Sequence, residues 1–317
     1  MSEITAVVTG GAGFIGSALV DRLIAAGNSV AVIDNLSTGN SANLKKSKEQ
    51  GGKNFKFESL DVRSKETTEF IADSAPDVIF HLAAQVDLRH SVKDPLFDAE
   101  TNILGTLRVL EGARQSKTRK VIVAASGGTL YGDQSHSLIP FEESLTPNPE
   151  SPYGISKATT MSYLAAYEDL YGLEGTALAL ANIYGPRQDP HGEAGVVAIF
   201  AGQLLRGEES TIFGSGEQTR DFVYVEDAVD AFIQASKSKG PKFCNIGTGI
   251  ETSINNLYQT MASALNSSLQ PVYLPARLGE LERSSLDPSY AKEILRWDAS
   301  TPLEEGLMRT IEWFEEN

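Results

Sequence analysis

A tyrosine and a lysine four positions apart are the residues of this sequence best suited to do chemistry together. Tyr153 and Lys157 follow Pro152 in a stretch that predicts a helix, so their side chains would lie on one face, one turn apart. Free tyrosine has a pKa of about 10 and is a poor base at neutral pH. An ammonium one turn away, together with a positively charged cofactor ring, would favour the phenolate by roughly one to three pKa units. Tyr153 is therefore a candidate general base for a hydroxyl group.

A serine upstream of this pair is a candidate partner. Ser126 follows an apolar predicted strand, at the carboxyl edge of the sheet where ligands bind, and its hydroxyl could relay a proton or orient a substrate oxygen. Taken alone, each feature has an ordinary structural explanation, because Tyr…Lys pairs are common on amphipathic helices and Ser-Gly-Gly forms ordinary turns. Together, and with a dinucleotide motif, they indicate a catalytic site.

That motif is the glycine-rich stretch of residues 9–16. It fits G-x-G-x-x-G at Gly11, Gly13 and Gly16, and G-x-x-G-x-x-G when it is read from Gly10. It lies between a predicted strand and a predicted helix, where bare backbone and the helix N-terminus can receive a pyrophosphate. Asp34 ends the next strand at about the 20-residue spacing typical of the carboxylate that binds the ribose hydroxyls. A carboxylate there repels a 2′-phosphate, so NAD is favoured over NADP.

Two further polar residues have a binding and a structural interpretation each. Asp61, followed by Val62 after the third predicted strand, could hold the adenine edge or cap the helix that follows Arg63. Asn102, on an otherwise apolar helical face, could contact the cofactor or brace a neighbouring loop. The sequence leaves these alternatives open.

The elements that must position these residues alternate between short strands and helices. This rhythm predicts an α/β fold with a Rossmann-type doubly wound parallel sheet, buried on both faces. After Ala181 the rhythm breaks, and we expect a smaller α/β C-terminal substrate lobe. The predicted domains are residues 1–181 plus about 223–245 for NAD, and residues 182–222 and 246–317 for the substrate. The predicted strands are 6–9, 30–34, 55–58, 78–82, 121–125 and 176–181, and the predicted helices are 14–26, 66–73, 99–115 and 153–171.

Composition limits the possible partners. The chain has 317 residues and a formal net charge of −15, which argues against a nucleic-acid-binding surface or a polybasic membrane patch. The single cysteine, Cys244, fits a reducing compartment, and no apolar run is long enough to cross a bilayer. We therefore expect a cytoplasmic protein. No metal is expected, because the histidines lack metal-ligand spacing and are interpreted as structural; they are His81, His90, His136 and His191.

The same motifs carry a family resemblance. The glycine motif, residues 81–85, the Ser126 turn and the Tyr153/Lys157 pair resemble those of the extended short-chain dehydrogenase/reductase superfamily. Over its whole length the chain is similar to UDP-glucose (UDP-galactose) 4-epimerases, especially the shorter bacterial and archaeal type. The stretches that match are 182–187, 192–200, 220–225 and 245–249.

The resemblance implies a mechanism. In such enzymes the tyrosine removes the 4-hydroxyl proton while a hydride passes from C4 to tightly bound NAD, and the keto sugar then takes the hydride back on its other face. It makes Tyr153 the base, Lys157 the group that lowers its pKa and holds the nicotinamide ribose, and Ser126 the proton-sharing hydroxyl. Thr129 is the second candidate for that hydroxyl. Cofactor contacts are expected from Gly10, Gly13, Phe14, Ile15, Gly16, Asp34, Asn35, Ser37, Gly39, Asp61, Val62, Leu82, Ala83, Ala84, Gln85, Asn102, Ala124, Tyr153 and Lys157.

The turn after Ser126 bears on the reaction type. Related 4,6-dehydratases carry an Asp-Glu pair there and related decarboxylases a glutamate, whereas this chain has Gly127 and Gly128. Epimerisation is therefore favoured over elimination. UDP-glucuronate 4-epimerisation and a dehydratase or decarboxylase activity remain alternatives. A non-catalytic NAD-sensing protein is a further one, since fold does not determine function.

Substrate contacts also follow from the resemblance. Arginine suits a diphosphate because its fork donates two charge-assisted hydrogen bonds. A local ion pair between Arg220 and Asp221, and an exposed surface charge for Arg277, are the structural alternatives. The expected substrate-binding residues are Ser126, Tyr153, Asn182, Val196, Val197, Arg220, Arg277 and Ser284.

Two of these expectations concern the sugar and the assembly. Ser284 aligns with a position that gates the sugar pocket, and its small side chain would leave room for an N-acetyl group. Arg187 could pair with the carboxylate of UDP-glucuronate or only close a loop. The resemblance further implies a homodimer through a four-helix interface, built from the predicted helices 99–115 and 153–171.

Overall fold

The computed structural model describes residues 3–133, 139–190, 195–237, 239–277 and 281–317. His136, His191 and the first three residues of the stretch 192–200 lie outside the described residues. The strands are β1 Thr5–Thr9, β2 Ser29–Ile33, β3 Phe55–Glu58, β4 Val78–His81, β5 Lys120–Ser126, β6 Glu174–Leu180, β7 Asn182–Tyr184, β8 Thr211–Phe213, β9 Thr219–Arg220, β10 Phe222–Tyr224, β11 Phe243–Ile246, β12 Thr252–Ser253 and β13 Val272–Leu274.

Helices cover both faces of the main sheet. The helices are α1 Phe14–Ala25, α2 Lys45–Gly51, α3 Lys65–Ser74, α4 Leu88–Lys93, α5 Pro95–Ala99, α6 Gly105–Ser116, α7 Gly127–Tyr131, α8 Pro152–Tyr171, α9 Val196–Leu205, α10 Val225–Lys237, α11 Ile254–Ala264, α12 Ser289–Ile294 and α13 Leu303–Glu316. Two short 3₁₀ turns, Ser41–Leu44 and Gly52–Asn54, and one π-helical turn, Glu100–Leu104, complete the set.

The main sheet has seven parallel strands in the order β3-β2-β1-β4-β5-β6-β11. The order reverses between β1 and β4, which is the place where open sheets of this kind bind nucleotides. The predicted Rossmann-type fold is confirmed, and each predicted strand is present within two residues of its predicted bounds. The predicted helix 99–115 is helical throughout, and its residues Glu100–Leu104 form a π-helical turn before α6 begins.

Two-sided burial explains the apolar strands. Side chains alternate along β1, so Val7 and Val8 belong to different cores. Val8 packs in the core that includes residues of α1 and α10, whereas Val7 packs in the core that includes residues of α3, α6 and α8. With apolar side chains buried on both faces, the carboxyl edge of the sheet is left as the place for polar residues.

The C-terminal half contributes to the main sheet and to a separate core. After β10 the chain runs through α10 and places β11 beside β6, in parallel register. A further core forms among α9, α11 and α13, around Phe200, Leu257 and Ile311. None of the described helices is long and apolar enough to cross a membrane.

Candidate active site

The glycine turn brings the backbone of β1, the first residues of α1 and the loop after β4 into close contact. Gly10 has a φ of +69°, and a Cβ there would lie 2.6 Å from the Ala83 nitrogen. A Cβ on Gly16 would lie 2.1 Å from the Gly10 carbonyl oxygen. Helix α1 begins after Gly13 with no side-chain cap and with no acidic residue in its first turn, the turn that contains Phe14 and Ile15. The free N–H groups therefore fit a pyrophosphate, which is the ligand that a helix N-terminus of this kind receives.

Asp34 lies at the end of β2, directly beside the glycine turn. Its carboxylate accepts hydrogen bonds from the backbone N–H groups of Ala12, at 2.9 Å, and Leu36, at 2.8 Å. A Cβ on Gly39 would approach an Asp34 oxygen to 2.9 Å, so the following loop, with Ser37 N–H bonded to the Asn35 side chain, passes close to the carboxylate. This is the position from which a carboxylate can accept hydrogen bonds from ribose hydroxyls.

Hydrogen bonds stabilise the carboxylate form of Asp61, but this residue does not cap a helix. Arg63 donates to both of its carboxylate oxygens, at 2.9 and 2.7 Å, and Asn35 donates at 3.0 Å. These hydrogen bonds, with that of Arg63 first, lower the pKa of Asp61 to about 2. The cap of α3 is Ser64, whose hydroxyl accepts from Thr67 N–H, so the capping interpretation of Asp61 is wrong. Val62 is buried and would contact a Cβ on Gly105 at 3.0 Å.

Asn102 braces the loop after β4. Its amide pairs with both backbone groups of Gln85: the Gln85 N–H donates to its oxygen and its nitrogen donates to the Gln85 carbonyl, each at 2.9 Å. The same loop carries Leu82, Ala83 and Ala84 past Gly10. The structural alternative for Asn102 is therefore present, and a contact with the cofactor remains a prediction.

Tyr153, Lys157 and Ser126 come together at the carboxyl end of β5. Ser151 caps α8 by accepting from Gly154 N–H at 3.1 Å, and Pro152 occupies its first turn, so the helix presents Tyr153 and Lys157 on one face. The Lys157 ammonium donates to the Ala124 carbonyl at 2.9 Å and lies 5.7 Å from the centre of the Tyr153 ring. Ser126 hydrogen-bonds the Tyr153 hydroxyl.

Burial dominates the electrostatics of this pair. It raises the pKa of Tyr153 to about 12, against the lowering effect of the Ser126 hydrogen bond, and the negative charge of Asp98 raises it further. Burial also lowers the pKa of Lys157 to about 8, against the raising effect of Asp98. The expected net lowering of the Tyr153 pKa is therefore wrong for the protein alone, because desolvation of a phenolate outweighs the neighbouring groups.

The second hydroxyl candidate makes no such contact. Thr129 lies in α7, and its hydroxyl oxygen is buried with no hydrogen-bond partner in the described chain. Helix α7 is anchored instead by Tyr131, which donates to the Asn245 side chain of β11 at 3.0 Å. Of the two hydroxyls, only Ser126 contacts the tyrosine.

The two glycines after Ser126 pack against the segment that contains Ser284. A Cβ on Gly127 would lie 2.4 Å from a terminal methyl carbon of Leu286, whereas a Cβ on Gly128 would lie 3.4 Å from the Ser284 hydroxyl. Asp221 holds this segment in place by accepting from Leu286 N–H at 3.2 Å while it also binds Thr248. The carboxylate of Asp221 thus binds backbone and hydroxyl groups, and burial raises its pKa.

The arginines predicted to bind the diphosphate lie on separate strands or loops of the C-terminal half. Arg220 ends β9 and donates to the Thr219 carbonyl at 2.7 Å. The guanidinium of Arg277 stacks on the Phe213 ring at 3.5 Å. Their contact with a diphosphate remains a prediction.

A small cleft brings together three of the predicted substrate-binding residues. Asn182, Val196 and Val197 line it together with Gln188. Val197 is only 1% exposed and belongs to the core of α9, α11 and α13, so Val196 offers more surface to a ligand than Val197 does.

Two further side chains have structural roles. Arg187 donates to Asp21 of α1 at 2.7 Å, and so it closes its loop onto that helix. His81 lies between the hydroxyls of Thr9, at 2.7 Å, and Thr106, at 3.0 Å, and burial lowers its pKa to about 3. Within the residues that the structure describes, no group of three or more His, Cys, Asp or Glu could hold a metal ion.

The fold and the site together define a dinucleotide-dependent enzyme in which a tyrosine, a lysine and a serine meet at the edge of a parallel sheet. A model of the NAD dependent epimerase/dehydratase family matches residues 6–247, and the chain belongs to this family. Its cofactor is accordingly NAD, in agreement with the carboxylate at Asp34.

Individual relatives match over nearly the whole chain. A UDP-glucose 4-epimerase of Mycolicibacterium smegmatis is 46% identical over 97% of this chain and 97% of its own. The crystal structure of a UDP-glucose 4-epimerase from Thermotoga maritima with UDP-glucose is 44% identical, with a TM-score of 0.94 and 99% of each chain covered. That of a Thermus thermophilus UDP-glucose 4-epimerase in complex with NAD is 38% identical, with a TM-score of 0.89 and coverage of 98% of this chain and 99% of that one.

Proposed function

We propose that the protein is a UDP-sugar 4-epimerase that interconverts UDP-glucose and UDP-galactose. The observation that carries this proposal is the contact of Ser126 with Tyr153, one turn from Lys157, beside a turn that has glycines where elimination would need carboxylates. The names of the relatives, which are UDP-glucose 4-epimerases over nearly full length, support the same substrate class.

Tyr153, Ser126 and Lys157 have different roles in the proposed proton transfer. Tyr153 takes the proton from the sugar 4-hydroxyl, and Ser126 orients that hydroxyl and stabilises the phenolate by its hydrogen bond. Lys157, held by the Ala124 carbonyl, keeps a positive charge beside the tyrosine. When bound, NAD supplies the hydride acceptor and the hydride donor for C4. The burial of Tyr153 and Lys157 excludes water from the proton transfer.

The cofactor would be held along the carboxyl edge of the main sheet. The turn from Gly10 to Gly16 would receive the pyrophosphate, Asp34 the adenosine ribose, and Asp61 with Val62 the adenine edge. The loop with Leu82, Ala83, Ala84 and Gln85, braced by Asn102, would flank the nicotinamide half together with Ala124. Residues 182–222 and 246–317 would form the lobe that binds the UDP-sugar, with Arg220 and Arg277 on the diphosphate, Asn182 near it, and Val196 and Val197 on the uridine side.

The geometry of the Ser126 turn disfavours a dehydratase or a decarboxylase. A carboxylate side chain at position 127 would overlap Leu286, which is itself buried. Arg187 donates to Asp21, which argues against its use as a partner for the carboxylate of UDP-glucuronate. A protein that only senses NAD would have no use for a desolvated Tyr153 and Lys157 pair.

We further propose that the same site accepts substrates with an N-acetyl group. Ser284 has a small side chain beside Gly128, where a Cβ would lie 3.4 Å from its hydroxyl, so neither residue adds bulk to this side of the turn that follows Ser126. We therefore include UDP-N-acetylglucosamine and UDP-N-acetylgalactosamine among the substrates.

A homodimer is supported by exposed apolar residues on the helices that would form it. Leu104 of the π-helical turn is 53% exposed, and Leu170 of α8 is 71% exposed. Exposed apolar side chains grouped on neighbouring helices are typical of an interface. A cytoplasmic location is supported by Cys244, the single cysteine, which is buried as a free thiol.

Direct conversion assays test the activity. The purified protein, with no NAD added, is incubated separately with UDP-galactose, UDP-N-acetylgalactosamine and UDP-glucuronate, and the products are separated by chromatography. We expect the 4-epimers of the first two, and we expect the Tyr153→Phe variant to lose roughly 10²–10⁴-fold in rate. Failure with every substrate, also after addition of NAD, would overturn the proposed function.

A further inference from the structure

A buried carboxylate outside the predicted site lies behind the catalytic pair. Asp98 of α5 is completely buried, and its carboxylate accepts three hydrogen bonds. The side-chain amides of Gln85 and Asn102 each donate to Oδ1 at 3.0 Å, and the hydroxyl of Ser156 donates to Oδ2. Amide nitrogens can only donate, so Oδ1 of Asp98 is the acceptor in both of these hydrogen bonds.

The three donors come from the segments that carry the active site. Ser156 lies on α8 directly before Lys157 and three residues after Tyr153. Gln85 belongs to the loop after β4, and Asn102 to the π-helical turn that braces this loop. One carboxylate thus joins the catalytic helix to the loop that would flank the nicotinamide.

We propose that Asp98 is a positioning residue of this active site, which sets the placement of α8 and supplies the negative charge that keeps Lys157 an ammonium. This proposal rests on the proposed function, because it concerns the same tyrosine and lysine. Three fixed donors hold the Asp98 carboxylate in one orientation, and this geometry supports its role in the placement of α8. A negative charge on Asp98 would act strongly on Lys157, because both groups are buried and charges inside a protein are weakly screened.

The elements packed against α5 carry other ionisable groups besides Asp98. The burial of Lys157 is opposed by one charge among the described residues, that of Asp98, and the same charge raises the pKa of Tyr153. Glu100 lies 4.0 Å from Arg63, and His90 packs edge-on against Phe97. The ionisable groups on these elements are Arg89, His90 and Lys93 of α4, Glu100 of the π-helical turn, and Tyr153, Lys157, Tyr163, Tyr167, Glu168, Asp169 and Tyr171 of α8.

Removal of the Asp98 charge should shift the pKa values of Lys157 and Tyr153 in a direction that a purely structural role would not predict. A negative neighbour favours the ammonium of Lys157, so Asp98→Asn is expected to lower the pKa of Lys157 by about one unit. The same change lowers the pKa of Tyr153, since the phenolate loses a repelling neighbour. Both limbs of the profile of kcat/KM against pH therefore move to lower pH.

The decisive experiment titrates Lys157 without substrate. The protein is prepared with lysine isotopically labelled at the ε carbon, the Lys157 signal is assigned by its loss in Lys157→Met, and its chemical shift is followed against pH by NMR in wild type and Asp98→Asn. We expect a lower Lys157 pKa in Asp98→Asn. An unchanged Lys157 pKa would overturn the electrostatic part of the proposal. Because this titration needs no UDP-sugar, its outcome is independent of whether the proposed substrates are turned over.

A second variant distinguishes the placement of α8 from the charge of Asp98. It also provides a test if Asp98→Asn does not fold. Ser156→Ala keeps the carboxylate but breaks its link to α8. We expect a Lys157 pKa close to that of wild type, and a kcat for UDP-galactose lowered by roughly tenfold with KM little changed, because the catalytic groups are displaced. A wild-type kcat in Ser156→Ala would overturn the positioning role.

Discussion

Gly127 and Leu286 are in such close contact that no side chain fits between them: a Cβ on Gly127 would lie within 2.4 Å of one Leu286 methyl carbon and 3.1 Å of its Cγ. Leu286 is buried and its backbone N–H is bound by Asp221, so Leu286 has little room to move away from Gly127. A carboxylate side chain at position 127 would therefore require Leu286 to move.

A first prediction follows for stability. Gly127→Ala forces the Leu286 side chain to move and should lower the free energy of unfolding by roughly 1–3 kcal/mol. Gly128→Ala is the matched control, because its Cβ would lie 3.4 Å from Ser284 and a helical alanine is favoured over glycine. Urea denaturation of both variants measures the difference. Equal midpoints for the two variants would contradict the contact.

The second prediction separates the two hydroxyl candidates. Ser126→Ala removes the hydrogen bond that lowers the Tyr153 pKa, so kcat should fall by about 10–10²-fold and the acidic limb of the pH profile should move to higher pH. Thr129→Val removes a buried hydroxyl that has no partner in the described chain, so stability should be unchanged or higher. Its kcat should stay near that of wild type. The reverse order of the two rates would make Thr129 the catalytic hydroxyl.

The third prediction concerns substrate range. Ser284→Tyr places an aromatic ring beside Gly128 and should lower kcat/KM for UDP-N-acetylgalactosamine at least about tenfold relative to UDP-galactose, because the ring fills the space for the N-acetyl group. Ser284→Ala, which keeps a small side chain, is the control. If the ratio of the two activities is the same in Ser284→Tyr and wild type, the pocket lies elsewhere.

The fourth prediction concerns acid stability. The hydrogen bonds from Arg63 lower the pKa of Asp61 to about 2, from 3.8 in a free side chain. A carboxyl whose pKa is lower in the folded state stabilises the fold above its unfolded pKa, and this contribution is lost as the pH falls from about 4 to about 2. Wild type should therefore exceed Asp61→Asn in melting temperature at neutral pH, and the difference should shrink in that acid range. Glu49→Gln, a change at an exposed position, controls for the loss of one negative charge. A difference that does not depend on pH would show that the ion pair is not its source.

Local patterns were sufficient to predict the sheet and the catalytic groups. The strands are short apolar runs between polar breaks, and Tyr153 and Lys157 share a helical face because of their spacing alone. The glycine turn could be predicted for the same reason, since Gly16 is required by its contacts with Gly10 and Gly11 within one strand–helix unit.

Residues that act through distant contacts could not be found in this way. Asp98 and Asp221 look like ordinary acidic residues in the sequence, and their importance comes from donors far along the chain. The high pKa of Tyr153 was missed because it depends on how completely the fold removes water from the phenol. The π-helical turn within the predicted helix 99–115 could not be predicted, because residues 99–104 contain no glycine or proline.

An isotope experiment tests the central claim most directly. UDP-galactose with deuterium at C4 of the sugar is incubated with the purified protein without added NAD, and the UDP-glucose formed is analysed by mass spectrometry and NMR. Transient oxidation at C4 with return of the same hydride predicts UDP-glucose that keeps its deuterium at C4. Absence of conversion, or UDP-glucose with solvent hydrogen at C4, would contradict this account.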